Sequence, residues 1–534
     1  MGKQNHLIGN WKSEIGNQII GNWVSYHHKY IFSFLLSVSV ILPSFSQPVS
    51  LPLSRDLEYF YIPKNDTGYS FHPSVRPYLA DEHKPALPGL FYFRNKEKDS
   101  AQKFRAFVRP LVNATAGYGR DFLYRAGAGA ELLTQWKRNL SLDLQYIYNA
   151  AVFPSLYDSL VSAGYVPHAG LASYQGSGGQ MQWGSVTGSL AWMPLRSLVL
   201  ETGIGRNFWG EGYRSLFLSD NSNAYPYVKT TVRVWHIKYI SLLGFLRDVN
   251  LPGSRNRLLA KYGAFHYLSW NVIHRLNLSF FEAVIWNGND SIRHRGYDFQ
   301  YMIPVVVYRP VEHWIGSPDN ALLGAAGSYK LSPAWTVYTQ FMLDELVVKE
   351  FLQGTGWAGN KYALQVGIKA REPFGKEGLH LLAEMNLARP YTWSHRSTLN
   401  NYGAWYQPLA HPAGGNFMEG LAEGKYRAGR NLLSVFLSYT AAGRDSGLFN
   451  AGNDIYRNYT TDIARRNVDI LQGEAFRQVV WSAGFGRLVI PRAGLMAGIQ
   501  CAGRLFMTGS RHGWEVFAGV WLRTMLFNDE WFEK

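Results

Sequence analysis

Residues 140–148 read LSLDLQYIY, and the alternating hydropathy of this stretch decides the fold. Leucine and tyrosine occupy the even positions, whereas Ser141, Asp143 and Gln145 stand between them. Successive side chains of a β-strand point to opposite faces of the sheet, so this segment has one apolar face and one polar face. It therefore predicts a strand that separates an apolar environment from a wet one.

The same alternation recurs along the chain, in residues 335–344, 361–369, 433–439 and 515–523. A soluble β-sandwich would produce the same pattern, so a single segment does not discriminate between the two folds. The number of such segments and the aromatic runs near their ends, at 391–393 and 404–406, favour a membrane protein. Tyrosine and tryptophan prefer the bilayer interface, where an amphipathic ring is half wet.

Composition supports a transmembrane barrel. Charged residues make up 17% of the chain, aromatic residues 15%, and there are 53 glycines among 534 residues. Mean hydropathy is only −0.16, because half of each strand of a barrel faces lipid and half faces a polar lumen. At about 10 residues per strand plus turns and loops, the length predicts an all-β, antiparallel transmembrane β-barrel of about 18 strands, within a range of about 16 to 20.

The N-terminus predicts export. Basic residues at 27–29 precede an apolar core at 31–42, and Ser44 and Ser46 fit a secretory cleavage site before Gln47. We expect residues 1–46 to form a leader with an N-terminal signal peptide, and the long polar front at 1–26 indicates a true start downstream. Residues 47–90 are predicted to be an irregular periplasmic or plug-like segment, and residues 91–534 an outer-membrane barrel.

The net charge of +15 indicates an anionic partner. Export argues against nucleic acid, so we expect contact with outer-membrane lipid, lipopolysaccharide phosphates and an acidic surface polysaccharide. Excess lysine and arginine confined to the loops and the lumen would give the same charge balance.

Several segments hold more glycine, arginine and carboxylate than a porin strand requires. The first reads GIGRNFWGEGYRSLFLSD at residues 203–220. The others lie at 261–270, 281–286, 300–304, 308–312, 317–324, 344–345, 359–362, 388–391 and 409–412.

Together these segments resemble the Wzi-like capsule-assembly barrels of outer membranes, and most closely the gliding-motility RemB-type branch. The resemblance covers roughly residues 70–530. It implies an outer-membrane barrel of about 18 strands that engages surface polysaccharide. Capsule members of the family also carry a periplasmic helical bundle, for which this sequence has no corresponding set of amphipathic helices.

The charged residues in these segments have two interpretations. Charges at membrane depth must face the lumen and pair, so they could form a network that plugs and stiffens the barrel. Alternatively, arginine, amide and aromatic groups could line a sugar path, with arginine binding uronate carboxylates. The candidate ligand-binding residues are Arg206, Asn207, Trp209, Glu211, Arg214, Asp220, Arg309, Glu312, Asp319, Asn320, Asp344 and Arg389.

No enzyme motif stands out. The sequence lacks a G-x-S-x-G elbow, an H-E-x-x-H pair and a Cys-His metal spacing, so we expect neither catalysis nor a metal or cofactor. The leading hypothesis is a non-enzymatic barrel that binds or organises capsular polysaccharide or exopolysaccharide at the cell surface. The alternatives are a gliding-motility or secretion-associated outer-membrane protein and a general porin-like channel.

Overall fold

The computed structural model describes residues 49–63, 71–85, 87, 104–137, 139–249, 258–288, 296, 301, 319–509 and 511–527. The predicted leader, residues 1–46, lies outside the described residues. Within this part of the chain, eighteen long strands form a closed antiparallel barrel, which confirms the predicted fold class.

The barrel strands follow chain order. They are β1 (Phe104–Tyr118), β2 (Phe122–Trp136), β3 (Leu140–Val152), β4 (Gln180–Leu195), β5 (Leu198–Gly205), β6 (Tyr225–Val234), β7 (Ile237–Val249), β8 (Leu258–Ile273), β9 (Leu276–Asn287), β10 (Asn320–Lys330), β11 (Trp335–Glu345), β12 (Lys361–Arg371), β13 (Leu379–Ala388), β14 (Phe417–Ala428), β15 (Asn431–Arg444), β16 (Glu474–Ile490), β17 (Leu495–Thr508) and β18 (Arg511–Thr524).

Each strand pairs with its chain neighbour, and β18 closes the barrel against β1, from Ala518 opposite Tyr118 to Arg523 opposite Asn113. Closure leaves no unpaired backbone edge in hydrocarbon. Among the described residues, no helix is both long enough and apolar enough to cross a bilayer.

Short elements complete the structure. Within the described ranges, the α-helices are α1 (Arg55–Phe60), α2 (Asp158–Ser162) and α3 (Val348–Leu352), and 3-10 turns lie at Ala80–Glu82, Ser155–Tyr157, Ser177–Gly179, Pro373–Gly375 and Thr398–Asn400. Tyr174–Gln175 extends the barrel beside β4. Two-residue and three-residue strands pair as Tyr61–Pro63 with His83–Pro85, Val75–Arg76 with Phe208–Trp209, Tyr165–Val166 with Gly170–Leu171, and Gly403–Ala404 with Gln407–Pro408.

The outward face of the barrel is apolar, as the alternation predicts. On β15, Leu433, Val435, Leu437 and Tyr439 are exposed, whereas Ser438 is buried in the interior. On β3, the even-numbered Leu144, Tyr146 and Tyr148 are likewise exposed, and Ser141 is buried. The five alternating segments are therefore barrel strands whose apolar side faces outward.

The two ends of the barrel differ. Turns at 196–197, 235–236, 274–275 and 429–430 join the strands at one end, the short-turn end. Connections at 153–179, 206–224, 389–416 and 445–473 join them at the other, the long-loop end. Short periplasmic turns and longer extracellular loops are typical of outer-membrane barrels. Exposed aromatic side chains lie near both ends, including Trp136, Trp235 and Phe374 at the short-turn end and Tyr118, Phe122 and Trp514 at the long-loop end.

The lumen is filled from both ends. Residues 49–63 and 71–85, here called the N-terminal segment, occupy the short-turn end. Val49, Leu51, Leu57 and Phe60 of this segment are buried against wall residues such as Trp521. Residues 206–224, here called the inner loop, enter from the long-loop end.

Candidate functional site

The inner loop and the N-terminal segment meet inside the barrel. Phe208–Trp209 pairs antiparallel with Val75–Arg76, and the Gly210 amide donates to the Ser74 carbonyl at 2.8 Å. The Arg76 guanidinium donates to the Gly212 carbonyl at 2.8 Å. The two inserted segments therefore form one continuous plug.

The apolar residues of the inner loop anchor it to the barrel wall. Trp209, Leu216, Phe217 and Leu218 are fully buried in one cluster with wall residues. The Phe217 ring stacks on Phe281 of β9, with centroids 4.8 Å apart. Burying a side chain of this size stabilises a structure by roughly 1.5–3 kcal/mol, so the loop is held mainly by apolar packing.

Glu384 of β13 binds the backbone of the inner loop. Its carboxylate accepts the amides of Tyr213 at 2.9 Å and Arg214 at 3.1 Å, and the Tyr338 hydroxyl at 2.8 Å. Glu384 is buried. A buried carboxylate needs several donors to offset its lost hydration, and here the loop supplies two of them.

The Arg214 side chain forms an ion pair that also holds the inner loop to the barrel wall. Its Nη2 donates to Glu419 of β14 at 3.1 Å, and the same carboxylate lies 2.8 Å from His411 Nε2. Burial lowers the pKa of His411, although the neighbouring Glu419 opposes that shift. The Glu419 carboxylate therefore has two partners inside the barrel, Arg214 and His411.

Two more wall residues bind the plug. Gln340 of β11 accepts the Leu216 amide at 2.9 Å. Lys369 of β12 pairs with Glu211, whose carboxylate also accepts the Ser328 hydroxyl at 3.2 Å. These contacts fit the interpretation of the interior charges as a paired network.

A polar cavity of about 380 Å³ remains between the plug and strands β1 to β6. Its lining extends from His168 and Asn223 at the long-loop end to Leu526 and Phe527 beyond the last strand. The polar and aromatic side chains of its wall are Asn113, Arg125, Asp143, Gln145, Asn149, Trp183, Ser185, Thr187, Ser189, Arg206, Asp220 and Tyr227. We call this space the polar cavity.

Three side chains lie together in the wall of the polar cavity, and one of them, Trp183, is almost fully buried. The Arg125 guanidinium lies 5.6 Å from the centroid of the Trp183 ring. Asn149 is buried and its Oδ1 accepts no hydrogen bond from the described part of the chain. Arginine binds carboxylates in a bidentate manner, and a carboxamide oxygen accepts from a hydroxyl.

A second cavity, of about 280 Å³, lies at the short-turn end between the N-terminal segment and the wall. Its charged lining includes Glu58, Arg76, Glu211, Lys369 and Glu423. Arg76 binds Glu58 at 3.2 Å and Lys369 pairs with Glu211. Because these charges bind one another, fewer charged groups are available to a ligand in this cavity than in the polar cavity.

The structure distributes the predicted site residues of the inner loop over several environments. Arg206 and Asp220 line the polar cavity, with Arg206 Nη2 donating to the His168 carbonyl at 2.6 Å. Glu211 lines the second cavity. Asn207 and Trp209 are buried between the two inserted segments, where Asn207 Oδ1 lies 3.4 Å from Lys229 Nζ.

The remaining predicted residues lie nearer the long-loop end, apart from this group. Asp344 pairs with Lys361 at 3.0 Å, and Arg389 donates to the Val468 carbonyl at 2.8 Å. Asp319 accepts the Tyr301 hydroxyl at 2.8 Å, and its neighbour Asn320 is buried. The predicted Arg309 and Glu312 lie outside the described residues.

Arg125, Asn149, Trp183 and Tyr227 are not among the predicted site residues, but the barrel brings them into one wall. Each lies at an inward-facing strand position, on β2, β3, β4 and β6 respectively. The signal available in the sequence was polar or aromatic residues on the inward phase of nearby strands. Over the described residues, no group of three or more His, Cys, Asp and Glu side chains is placed to hold a metal ion.

Comparison with solved structures identifies similar barrels. Wzi of Escherichia coli, an outer-membrane protein involved in group 1 capsule assembly and a carbohydrate-binding β-barrel, aligns over 88% of this chain and 98% of its own with a TM-score of 0.51 and 12% identity. OprD of Pseudomonas aeruginosa aligns over 81% of this chain and 98% of its own, with a TM-score of 0.43 and 9% identity. No known family profile and no curated protein sequence matches this chain.

At 12% identity the likeness to Wzi is one of fold alone. The closed sheet and the apolar outward face of the described strands fit a β-barrel of the outer membrane. Over the part of the chain that the structure describes, the protein is a closed eighteen-stranded transmembrane β-barrel of the outer-membrane type, with inserted segments in its lumen.

Proposed function

We propose that this protein is an integral outer-membrane barrel that binds an acidic polysaccharide and organises it at the cell surface, without catalysing a reaction. The proposal follows the Wzi-like resemblance of the sequence and the carbohydrate binding of the E. coli barrel. Arg206 and Asp220 are the predicted residues that we retain first as ligand contacts. The other predicted residues are proposed to support them by holding the plug and the long loops.

The polar cavity is the observation that carries this proposal. Arg125, Arg206 and Asn149 line it, so two cations and a carboxamide oxygen that accepts no hydrogen bond from the described residues lie together, while the Trp183 ring is only 2% exposed and packs beside Arg125. A guanidinium binds a uronate carboxylate, and a carboxamide oxygen accepts from a sugar hydroxyl. The combination fits a sugar acid better than it fits an apolar solute or a metal.

Binding of the purified, detergent-solubilised chain to immobilised polygalacturonate, with neutral dextran as reference, tests the proposal. We expect binding to the acidic polymer, weakening as salt rises because part of it is electrostatic. Arg206→Gln should weaken binding, whereas Arg492→Gln, at an exposed position in a short turn, should not. Equal binding to dextran, or no binding, would contradict the proposal.

A selective channel is the second candidate function. The polar cavity is lined by residues from both ends of the barrel, which favours slow passage of a small hydrophilic solute. The plug argues against a wide general porin. Planar-bilayer recordings distinguish the two, since a binding barrel gives no solute-dependent current.

A role in gliding motility or secretion, as in the RemB-type branch, is the third candidate. The barrel would then anchor a surface partner. Deletion of the gene separates this role from polysaccharide organisation: loss of spreading with an unchanged capsule would favour the motility role.

A further inference from the structure

Helix α3 exposes an apolar face at the long-loop end of the barrel. Val348, Phe351 and Leu352 are 58%, 50% and 79% exposed, and Leu346 and Val347 just before them are also exposed. Val348, Phe351 and Leu352 recur at helical spacing, so their side chains share one side of the helix. A protein surface in water would not present this face without a partner.

The apolar face continues the lipid-facing surface of the barrel. The Phe351 ring centroid lies 6.4 Å from that of Tyr362, and Tyr362 lies 6.1 Å from Phe341. Phe341 is an exposed, outward-facing residue of β11. The helix therefore lies at the upper border of the apolar band, beside the aromatic side chains that mark it.

Polar contacts on the opposite side of α3 fix this orientation. Glu350 accepts from Arg466 at 2.9 Å and from the Thr355 hydroxyl at 2.7 Å. The Val347 amide donates to Asn360 Oδ1 at 2.8 Å. The helix cannot turn its apolar face inward without losing these hydrogen bonds.

Lys349 on the helix and Arg465 in the adjoining loop are exposed cations near the apolar face, whereas Arg466 binds Glu350 on the opposite side of the helix. The two arginines are held beside the helix because the Ala358 amide donates to the Arg465 carbonyl at 3.0 Å and the Asn467 amide to the Thr355 carbonyl at 2.9 Å. Apolar side chains next to basic ones are the two signals by which a short helix docks on an anionic bilayer.

We propose that α3, together with Lys349 and Arg465, is a lipid-docking site that binds a phosphate-bearing lipid of the leaflet at the long-loop end. Val348, Phe351 and Leu352 enter the acyl region, and the two cations bind the phosphate. Continuity with the apolar band selects a lipid over a soluble protein as the occupant. The site is independent of the polysaccharide proposal.

Spin labelling tests the depth of the helix. Cys501→Ser removes the single native cysteine, after which Leu352→Cys carries a nitroxide label in nanodiscs that contain bisphosphorylated lipid A. The label should be more accessible to oxygen than to a water-soluble nickel chelate. Leu448→Cys, in the long loop at 445–473 and 83% exposed, is the matched control and should show the reverse. Equal nickel accessibility at the two sites would overturn the proposal.

A binding measurement tests the phosphate contact. Native mass spectrometry of the full chain gives the affinity for bisphosphorylated lipid A and for its dephosphorylated form. Lys349→Gln and Arg465→Gln should each weaken binding of the phosphorylated lipid about fivefold, with no change for the other lipid. Arg427→Gln, near the short-turn end, is the control. Unchanged affinity in both α3-region variants would refute the assignment.

Discussion

At the scale of single residues, glycine allows the inner loop to approach the wall. A Cβ atom on Gly212 would overlap Glu384 Oε2, and one on Gly210 would overlap Gln340 Nε2. The loop amides reach Glu384 because these two positions carry no side chain. The close approach is therefore encoded in the residues that flank Glu211.

Gly212→Ala tests this close approach. The new methyl group must displace the Glu384 carboxylate, which leaves buried amide donors without an acceptor, at a cost of about 1–3 kcal/mol for each lost bond. We expect a lower unfolding midpoint and faster proteolysis within residues 206–224. Gly420→Ala is the control because nothing lies within 4 Å of a Cβ there. Equal behaviour of the two variants would contradict the account.

Part of this arrangement can be predicted from the sequence. The glycine-rich stretch at 203–220 predicts close backbone packing, and the structure confirms it at Gly212. The partner Glu384 could not be predicted, because it lies far away in sequence and competes with many other carboxylates. Only closure of the barrel brings the inner loop to β13.

At the scale of elements, the N-terminal segment docks through neutral polar groups as well as ion pairs. His72 is buried, with Nδ1 2.9 Å from Ser269 Oγ of β8. Burial lowers the pKa of His72 to about 3, and Lys238 adds to the shift. Asp56 of α1 binds Arg523 at 2.8 Å at the other side of the lumen.

The His72 shift predicts how acid affects the plug. An unfolded histidine titrates near 6.5, so the contribution of neutral His72 to stability is complete above that pH and is lost as the pH falls toward 3. Between pH 6.5 and pH 5 the loss is about 2 kcal/mol. The thermal unfolding midpoint of the wild type should therefore fall as the pH is lowered over this range.

The variant His72→Asn separates this residue from the other histidines. It can keep a hydrogen bond to Ser269 but cannot gain a proton, so its unfolding midpoint should depend less on pH between 6.5 and 5. A slope identical to that of the wild type would show that the pKa of His72 is not lowered in the folded barrel.

Alternating hydropathy predicts the strands well, but it does not predict whether a loop is buried in the lumen or exposed. Strands β3 and β15 were evident because two-residue periodicity follows directly from the pleat. The inner loop has no periodicity that distinguishes a buried loop from an exposed one. Its apolar run, Leu216 to Leu218, is the one local sign that it folds inward.

At the scale of the whole molecule, the plug occupies the lumen and should restrict the passage of ions. The pairing of Val75–Arg76 with Phe208–Trp209 joins segments from opposite ends. We expect the full chain to give little current in planar bilayers. Deletion of residues 49–87, refolded with the barrel intact, should produce large and frequent openings. Large openings in the full chain would mean that the plug does not occlude the lumen.

Membrane insertion itself makes a prediction that depends on depth. Leu437, in the middle of β15, is exposed on the apolar outer face, and Leu448 is exposed in the adjoining long loop. Arginine on the lipid face near the midplane costs about 2–4 kcal/mol, because the guanidinium loses its hydration, whereas the cost falls toward the interface. In phospholipid vesicles, Leu437→Arg should lower the free energy of unfolding by that amount and Leu448→Arg should leave it nearly unchanged. If the two substitutions cost the same, the outer face of β15 does not contact lipid, which would contradict a membrane-spanning barrel.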